Sequence, residues 1–424
     1  MKTALIAGCR TPFAKAGTSL RELTAIDLGK IAVREALARA DIPGEAVDQL
    51  IFGTVVHNPT APNIAREVGL AVLPKQVPAS TVSRACSSAN QAIADGVNLI
   101  ELGLADVVVA GGAESLSHIP ITVSPWMATA LVESAKARTL SGRLAAFSGF
   151  RLRHLAPQRP EIAEPTTGET MGEAAERMAK ENGISRAAQD EWAHRSHVLA
   201  SRGFADGRLA AEIAPVYLPP LYETVVDRDN GVRSDSSLEA LARLRPVFDR
   251  KYGSVTAGSA SPLTDGGGAV VLMSKRSAQA HGVEPIAWIR SYAVTALDPG
   301  AQLLQGPAYA APIALERAGI SMSEVDLMEM HEAFAAQVLS NLQALGSDDF
   351  AKRELGRDRA VGHPDPERIN VMGGSIALGH PFGATGARLT MTLAHELRRV
   401  DGQFGLITVC AAGGMGFAMV LERA

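Results

Sequence analysis

Three residues in this chain carry side chains and surroundings suited to covalent chemistry. His380 sits between Gly379 and Pro381 in VMGGSIALGHPFGATGAR, Val371 to Arg388. A glycine-rich turn of this kind lets a substrate approach the backbone closely. Taken alone, the stretch is either a reactive site or a turn holding an incidental histidine. Cys86, in TVSRACSSANQAI, has small neighbours and a helical run after it, Asn90 to Leu102. A thiol becomes a strong nucleophile only when ionised, and a helix N-terminus favours the thiolate. Cys410 ends an apolar run and is followed by Ala411-Ala412-Gly413-Gly414, a turn small enough to admit a ligand and offer backbone N–H groups. Cys9, inside the first apolar run, reads as a small buried hydrophobe. Three cysteines, at 9, 86 and 410, form no disulfide framework and suit a reducing compartment, and no CxxC spacing points to zinc. His194 and His197 share a helix face in ISRAAQDEWAHRSHVLA, yet without HEXXH order they predict no metal.

The elements that must position these groups come in two copies. Asp27 to Ala40 has helical periodicity and is followed by an apolar run, Val47 to Val56. ALARADIPGEAVDQLIF from Ala36 returns 278 residues later as ALERAGISMSEVDLMEM, with Arg39, Ala40, Ile42, Val47, Asp48 and Leu50 facing Arg317, Ala318, Ile320, Val325, Asp326 and Met328. Downstream of the first copy come Cys86, its helical run, a strand at Asp106 to Ala110 and Gly111-Gly112; downstream of the second come His380, a helical run at Ala384 to Arg398, a strand at Phe404 to Cys410 and Gly413-Gly414. Two copies of one α/β module predict that each reactive residue stands at the entrance of a central helix, near the junction of the halves.

The chain is long enough for two cores, at 424 residues with 46% hydrophobic and 20% charged content. A net charge of −4 gives no global reason to expect nucleic acid. MKTALIAGCRTPFAK reads as a buried strand rather than a signal peptide, because Arg10 and Pro12 interrupt its apolar run, and no window approaches a membrane span. A cytoplasmic protein is expected. Leu116 to Pro160 carries Lys136, Arg138, Arg143, Arg151, Arg153 and Arg159 against a single acid, Glu133, together with Trp126, Met127, Phe147 and Phe150. This basic amphipathic stretch reads either as a peripheral contact with an anionic membrane or a partner, or as a solvated cover over the site.

VSRACSSANQAI, TAGSASPLTDGGGAV from Thr256 to Val270, HEAFAAQ from His331, GHPFGATG and CAAGGMG, in this order along nearly the whole chain, resemble the thiolase family. The resemblance implies an α/β thiolase fold: two duplicated βαβαβαββ halves in a five-layer α-β-α-β-α arrangement with an inserted loop domain. The first half spans 1–115, completed by about 252–282, the loop domain spans 116–251, and the second half spans 283–424. It further implies a 3-ketoacyl-CoA substrate, CoA as co-substrate with no permanently bound cofactor or metal, and a homodimer or tetramer. By position, Cys86 matches the acyl-accepting cysteine, His380 the histidine that takes its proton, and Cys410 the second, acid–base cysteine. One oxyanion hole is implied at His380 with His331, whose donor acts directly or through water. The other is implied at the N–H groups of Cys86, Ala412 and Gly413. Ser261 and the segment at Met171 match positions near CoA. Many members have Asn at His331, glycine at Ala89 and Ala412, and His at Thr170. The His-type segment is similar to long-chain thiolases that form the β subunit of fatty-acid oxidation complexes, implying an enoyl-CoA hydratase/3-hydroxyacyl-CoA dehydrogenase α subunit as partner. The expected activity is therefore CoA-dependent cleavage of 3-ketoacyl-CoA in β-oxidation. The rivals are a biosynthetic acetoacetyl-CoA thiolase, a decarboxylating ketosynthase, for which Cys410 has no use, and a non-catalytic acyl-CoA-binding scaffold.

Overall fold

The computed structural model describes residues 3–157 and 163–424. Its first half runs β1 (Thr3–Arg10), α1 (Ala25–Ala40), β2 (Gln49–Gly53), α2 (Ile64–Val72), β3 (Ala79–Val82), α3 (Ser88–Glu101) and β4 (Val107–Glu114). A long connection follows, carrying α4 (Pro125–Lys136), α5 (Leu140–Ala145), α6 (Met171–Glu181) and α7 (Arg186–Ala205), before β5 (Thr264–Met273) closes the half. The second half runs β6 (Ala287–Ala296), α8 (Gly306–Ala318), β7 (Leu327–Met330), α9 (Ala335–Leu345), the single turn α10 (Ser375–Leu378), α11 (Thr385–Val400), β8 (Phe404–Ala411) and β9 (Met415–Arg423).

The strands lie in the order β3-β2-β4-β5-β1-β6-β9-β8-β7. β2, β3 and β4 are parallel, while β5 runs antiparallel to both β4 and β1. The second half repeats this pattern: β7 and β8 are parallel, β9 is antiparallel to β8 and β6, and a parallel bridge from Met328 to Ile369 stands where β3 does in the first. The duplication extends to side chains. Asp48 accepts the N–H groups of Asp106 and Val107, and Asp326 accepts those of Gln403 and Phe404, so the matched aspartates tie equivalent strand entries.

Fully buried strands need apolar residues on both faces, and these strands have them. On one side Leu28 and Val33 of α1 and Val68 of α2 pack on Phe52, Val109 and Val271. On the far side Ala311 and Leu315 of α8 and Val338 of α9 pack on Met330, Leu406 and Val420. Between the halves, Ile93 and Val97 of α3 share one core with Leu389 and Leu393 of α11 and with Val108, Val270, Ile407 and Phe417. Five layers result, with α3 and α11 in the middle. These two helices touch near their entrances: a Cβ on Gly386 would lie 2.2 Å from Asn90 Oδ1.

One detail of the repeat differs from expectation. Gly111 and Gly112 lie inside β4, which continues to Glu114, whereas Gly413 and Gly414 form a turn with φ of 82° and 68°. A Cβ on Gly112 would meet the Gly383 carbonyl at 1.8 Å, so the first pair of glycines serves close packing rather than a reversal. In the connection, Trp126 at the start of α4 stacks on His154 at 4.2 Å, while Leu131, Val132, Leu140, Leu144, Leu152 and Leu155 are exposed. Arg159 lies outside the described residues. Among the described residues, no helix is long and apolar enough to cross a membrane.

Candidate active site

Cys86 stands on a tight turn between β3 and α3. Ala85 before it takes φ of 44°, which is uncommon for a residue with a Cβ, and the turn is held by Ser88. The Ser88 hydroxyl accepts from Arg84 N–H at 2.8 Å and donates to the Ala85 carbonyl at 2.7 Å. The sulfur thus sits beside the first turn of α3, as the sequence predicts, but its protonation differs from the prediction. Burial pushes the Cys86 thiol up to about 11, outweighing the N–H groups of Ala412 and of Cys86 itself, which favour the thiolate, while the charge of Glu114 adds to the rise. The resting group is a neutral thiol.

His380 follows Gly379, whose φ of 108° suits glycine and where a Cβ would collide with Thr264. Its N–H donates to the Pro262 carbonyl at 3.2 Å, and its Nδ1 lies 2.6 Å from Thr385 Oγ1 in the first turn of α11. His331 leaves the end of β7, with Nδ1 2.9 Å from Ser375 Oγ. The two imidazoles lie 4.0 Å apart, and both Nε2 atoms are buried with no hydrogen-bond partner among the described residues. Cys86, His331 and His380 each place one ligating atom within 4.8 Å of the others. Burial holds His380 down to about 3, and burial, followed by the neighbouring His380 and Arg388, holds His331 well below its ordinary range. Both rings are therefore neutral at pH 7.

Cys410 ends β8 inside an apolar cluster with Met178, Leu304 and Phe334, against which Met171 packs from the start of α6. Burial raises its thiol well above the ordinary value, and coupling to Cys86 raises it further, so ionising one thiol disfavours ionising the other. Of the turn residues, Ala412 directs its N–H at Cys86, whereas the Gly413 N–H donates to Glu164 at 2.9 Å. Ser261 is half-buried and donates its N–H to Ala333, beside the Ala260–Phe334 bridge, so the TAGSASP segment is laced to the HEAF segment.

Sequence reasoning missed the groups beneath the site. Glu332 is fully buried and accepts from Trp192 Nε1, Ser196 Oγ, Asn370 Nδ2 and Ile376 N–H, gathering α7, α10 and the HEAF segment onto one carboxylate. Glu114 accepts from Val55, Val56 and Gly383 N–H and from the Thr54 hydroxyl, joining β4 to the loop after His380; burial raises it to about 7. Arg388 pairs with Glu329 at 2.6 Å. A buried, multiply bonded carboxylate leaves no local sequence pattern; the adjacency of Glu332 to His331 is the only available signal.

Beside the site lies a cavity of about 250 Å³ whose lining includes Ala260, Pro262 and Ile376 together with Lys15, His197 and Arg233. Burial and then Arg233 lower Lys15, while burial, Arg233 and Lys15 lower His197 to about 4, as expected where cations converge. Two neighbouring thiols, a neutral imidazole acceptor and N–H donors in a dry pocket can pass an acyl group from one sulfur to another.

Known proteins resemble this chain along nearly its whole length. Two family descriptions match: thiolase, N-terminal domain, over residues 3–276, and thiolase, C-terminal domain, over 283–423. A 3-ketoacyl-CoA thiolase of Escherichia coli (strain K12 / MC4100 / BW2952) is 50% identical over 422 residues, covering 99% of this chain and 97% of that protein. One of Salmonella paratyphi C (strain RKS4594) is 51% identical over the same length, with the same coverage of each chain. Among solved structures, a Bacillus anthracis acetyl-CoA acetyltransferase superposes with a TM-score of 0.85 at 33% identity, covering 100% of this chain and 99% of that one. A human mitochondrial 3-ketoacyl-CoA thiolase superposes with a TM-score of 0.84 at 32% identity, with the same coverage. Sequence, duplicated architecture and the meeting of Cys86, His331 and His380 converge: the chain belongs to the thiolase family.

Proposed function

We propose that this chain is a 3-ketoacyl-CoA thiolase, an acyltransferase that cleaves 3-ketoacyl-CoA with CoA in fatty-acid degradation. The observation carrying this reading is the cluster of Cys86, His380 and His331 within 4.8 Å, with the Cys410 thiol electrostatically coupled to Cys86. A neutral thiol beside a neutral imidazole transfers its proton as it attacks, so Cys86 adds to the 3-keto carbon while His380 Nε2 takes the proton. Breaking the C2–C3 bond leaves its electron pair on C2 as an acetyl-CoA enolate, which the Cys410 thiol protonates. A second CoA thiol then gives its proton to the Cys410 thiolate and attacks the acyl-Cys86 thioester. Cys86 departs and recovers its proton from His380.

Developing oxyanions are stabilised at two places, by His380 with His331 and by the N–H groups of Cys86 and Ala412. Because Glu164 already engages the Gly413 N–H, that group supports the turn rather than the oxyanion. CoA threads the cavity lined by Ala260 and Pro262 on either side of Ser261, with Lys15 and Arg233 facing its phosphates, while Met171 lies in the Cys410 cluster. Medium or long acyl chains, a homodimer or tetramer, and a hydratase/dehydrogenase α subunit complete the reading, in a cytoplasmic protein whose basic 116–160 stretch, with Leu131, Val132, Leu140 and Leu144 exposed, touches an anionic membrane. Co-sedimentation with anionic vesicles that persists unchanged in high salt would remove the electrostatic contact.

Incubation with a 3-ketoacyl-CoA should leave an acyl mass on the peptide containing Cys86. No adduct, in either direction of reaction, overturns the assignment. A turnover series from four to sixteen acyl carbons separates the degradative enzyme from one confined to acetoacetyl-CoA.

A further inference from the structure

The two active-site imidazoles are each neutral, so each carries a single N–H, and catalysis depends on which nitrogen bears it. Each Nδ1 faces one buried hydroxyl, and each hydroxyl has one proton and two lone pairs. The partners of the two hydroxyls differ.

Ser375 Oγ is fully buried, and Arg388 Nη2 donates to it at 3.4 Å while Nη1 of the same guanidinium holds Glu329 at 2.6 Å. A guanidinium only donates. The Ser375 proton therefore needs an acceptor elsewhere, and among the described residues the one within reach is His331 Nδ1, at 2.9 Å. That leaves the His331 proton on Nε2, the atom that is buried, unpartnered and close to His380 and Cys86. Around His380 the order is reversed. Thr385 Oγ1 lies 3.1 Å from the Pro381 carbonyl, which only accepts, so its proton goes there and its lone pair receives the Nδ1 proton of His380 at 2.6 Å. His380 Nε2 then holds a lone pair.

We propose that Ser375 and Thr385 are positioning residues that fix the paired histidines in opposite tautomers, His331 as an Nε2–H donor to the developing oxyanion and His380 as an Nε2 proton acceptor for Cys86. The Pro381 carbonyl is the source of the asymmetry, because it takes the Thr385 proton, whereas among the described residues the Ser375 proton has His331 Nδ1 to receive it. His331 thus donates directly, and the hole does not need a water to relay a hydrogen bond. This inference deepens the thiolase reading and rests on it for the roles, though the tautomers themselves do not depend on substrate.

The test is long-range 1H–15N correlation on substrate-free protein labelled with 15N-histidine, with His331 and His380 assigned from the resonances lost in H331N and H380N. The expected wild-type pattern is one ring protonated on Nε2, His331, and the other on Nδ1, His380. In Ser375→Ala the His331 pattern should shift toward Nδ1 protonation, kcat should fall by up to about 10²-fold, the lower end of what losing one oxyanion donor costs, and KM should stay within about threefold. Ser375→Thr, which restores the hydroxyl, should recover both the pattern and most of kcat. A wild-type His331 protonated on Nδ1 overturns the proposal without recourse to any variant, as does a Ser375→Ala enzyme with unchanged tautomer and kcat. Absence of an acyl-Cys86 adduct in wild type would count instead against the thiolase reading, leaving the tautomer result to stand or fall alone.

Discussion

Replacing Glu332 with glutamine tests whether the site is assembled from below. Four donors converge on this carboxylate: Trp192 Nε1 and Asn370 Nδ2 on Oε1, at 3.0 and 2.8 Å, and Ser196 Oγ and Ile376 N–H on Oε2, at 2.8 and 3.2 Å. A carboxamide keeps one acceptor oxygen and turns the other into an NH₂ group. Whichever way the amide turns, two donors lose their acceptor and face further N–H groups. Each buried donor left unsatisfied costs about 1–3 kcal/mol, so the substitution should destabilise the protein by about 2–6 kcal/mol. The volume is unchanged, so cavity formation does not contribute. Ile376 follows Ser375 in α10, and Glu332 follows His331, so loosening this knot also moves the catalytic imidazoles, where misplacement by about 1 Å can cost about 10²-fold in rate. Urea unfolding at one fixed protein concentration and initial-rate thiolysis provide the two readouts. The Glu332→Gln variant should lose at least 2 kcal/mol in the first and at least tenfold in kcat. An enzyme within twofold of wild-type kcat and with an unshifted midpoint would refute the claim that this carboxylate positions the site.

Cys410→Ala should slow thiolysis by about 10²–10⁴-fold, the usual contribution of a placed acid–base group, while an alkylating reagent still labels Cys86; wild-type turnover would show that another group protonates the enolate. Lys15→Met with Arg233→Met should raise KM for CoA at least tenfold with little change in kcat, measured by varying CoA at saturating 3-ketoacyl-CoA; an unchanged KM places the phosphates elsewhere. His197 bears on acid stability. Its folded-state value of about 4 lies below the ordinary 6.5, so the unfolded chain binds its proton first as pH falls. Wild type therefore loses stability through this group between pH 6.5 and 4, at about 1.4 kcal/mol per pH unit, and nothing above 6.5. His197→Asn should lose correspondingly less in that window, read from urea midpoints at pH 7 and 5, and equal losses in the two proteins would contradict the assignment.

The sequence exposes some parts of this site and hides others, for physical reasons. Cys86, His380 and Cys410 are legible because a reactive side chain must sit among small residues, and glycine and alanine clusters are visible in one dimension. The duplication is legible because the two halves must bury equivalent faces, and even Asp48 and Asp326 keep equivalent backbone partners. Glu114, Glu332 and Arg388 are hidden because a charged residue in a sequence reads as solvated, and only distant partners make its burial tolerable. Glu332 meets Trp192 across 140 residues and Glu114 meets Gly383 across 269. The resting state of Cys86 was misread for a related reason. The helix N-terminus is a local feature, but the desolvation that opposes it is contributed by the whole fold.

The long connection lies where it does because of the duplication. In the second half, β8 and β9 are joined by the short turn Ala412-Gly413-Gly414, at the end where Cys410 stands. The equivalent junction in the first half, between β4 and β5, is where residues 115–263 are inserted. Strand order and direction are the same in both halves, so the insertion leaves the sheet at the symmetry-related counterpart of the Cys410 turn and must lie over the junction where α3 and α11 begin. Three contacts bear this out: Glu164 holds Gly413, Met171 packs in the cluster that buries Cys410, and Trp192 and Ser196 of α7 bind Glu332 behind His331. The same insertion that packs Met171 and Met178 into the cluster around Cys410 also supplies Lys15's neighbours His197 and Arg233 in the adjoining cavity. Apolar cover for Cys410 and positive charge for a phosphorylated co-substrate thus arise from one topological choice.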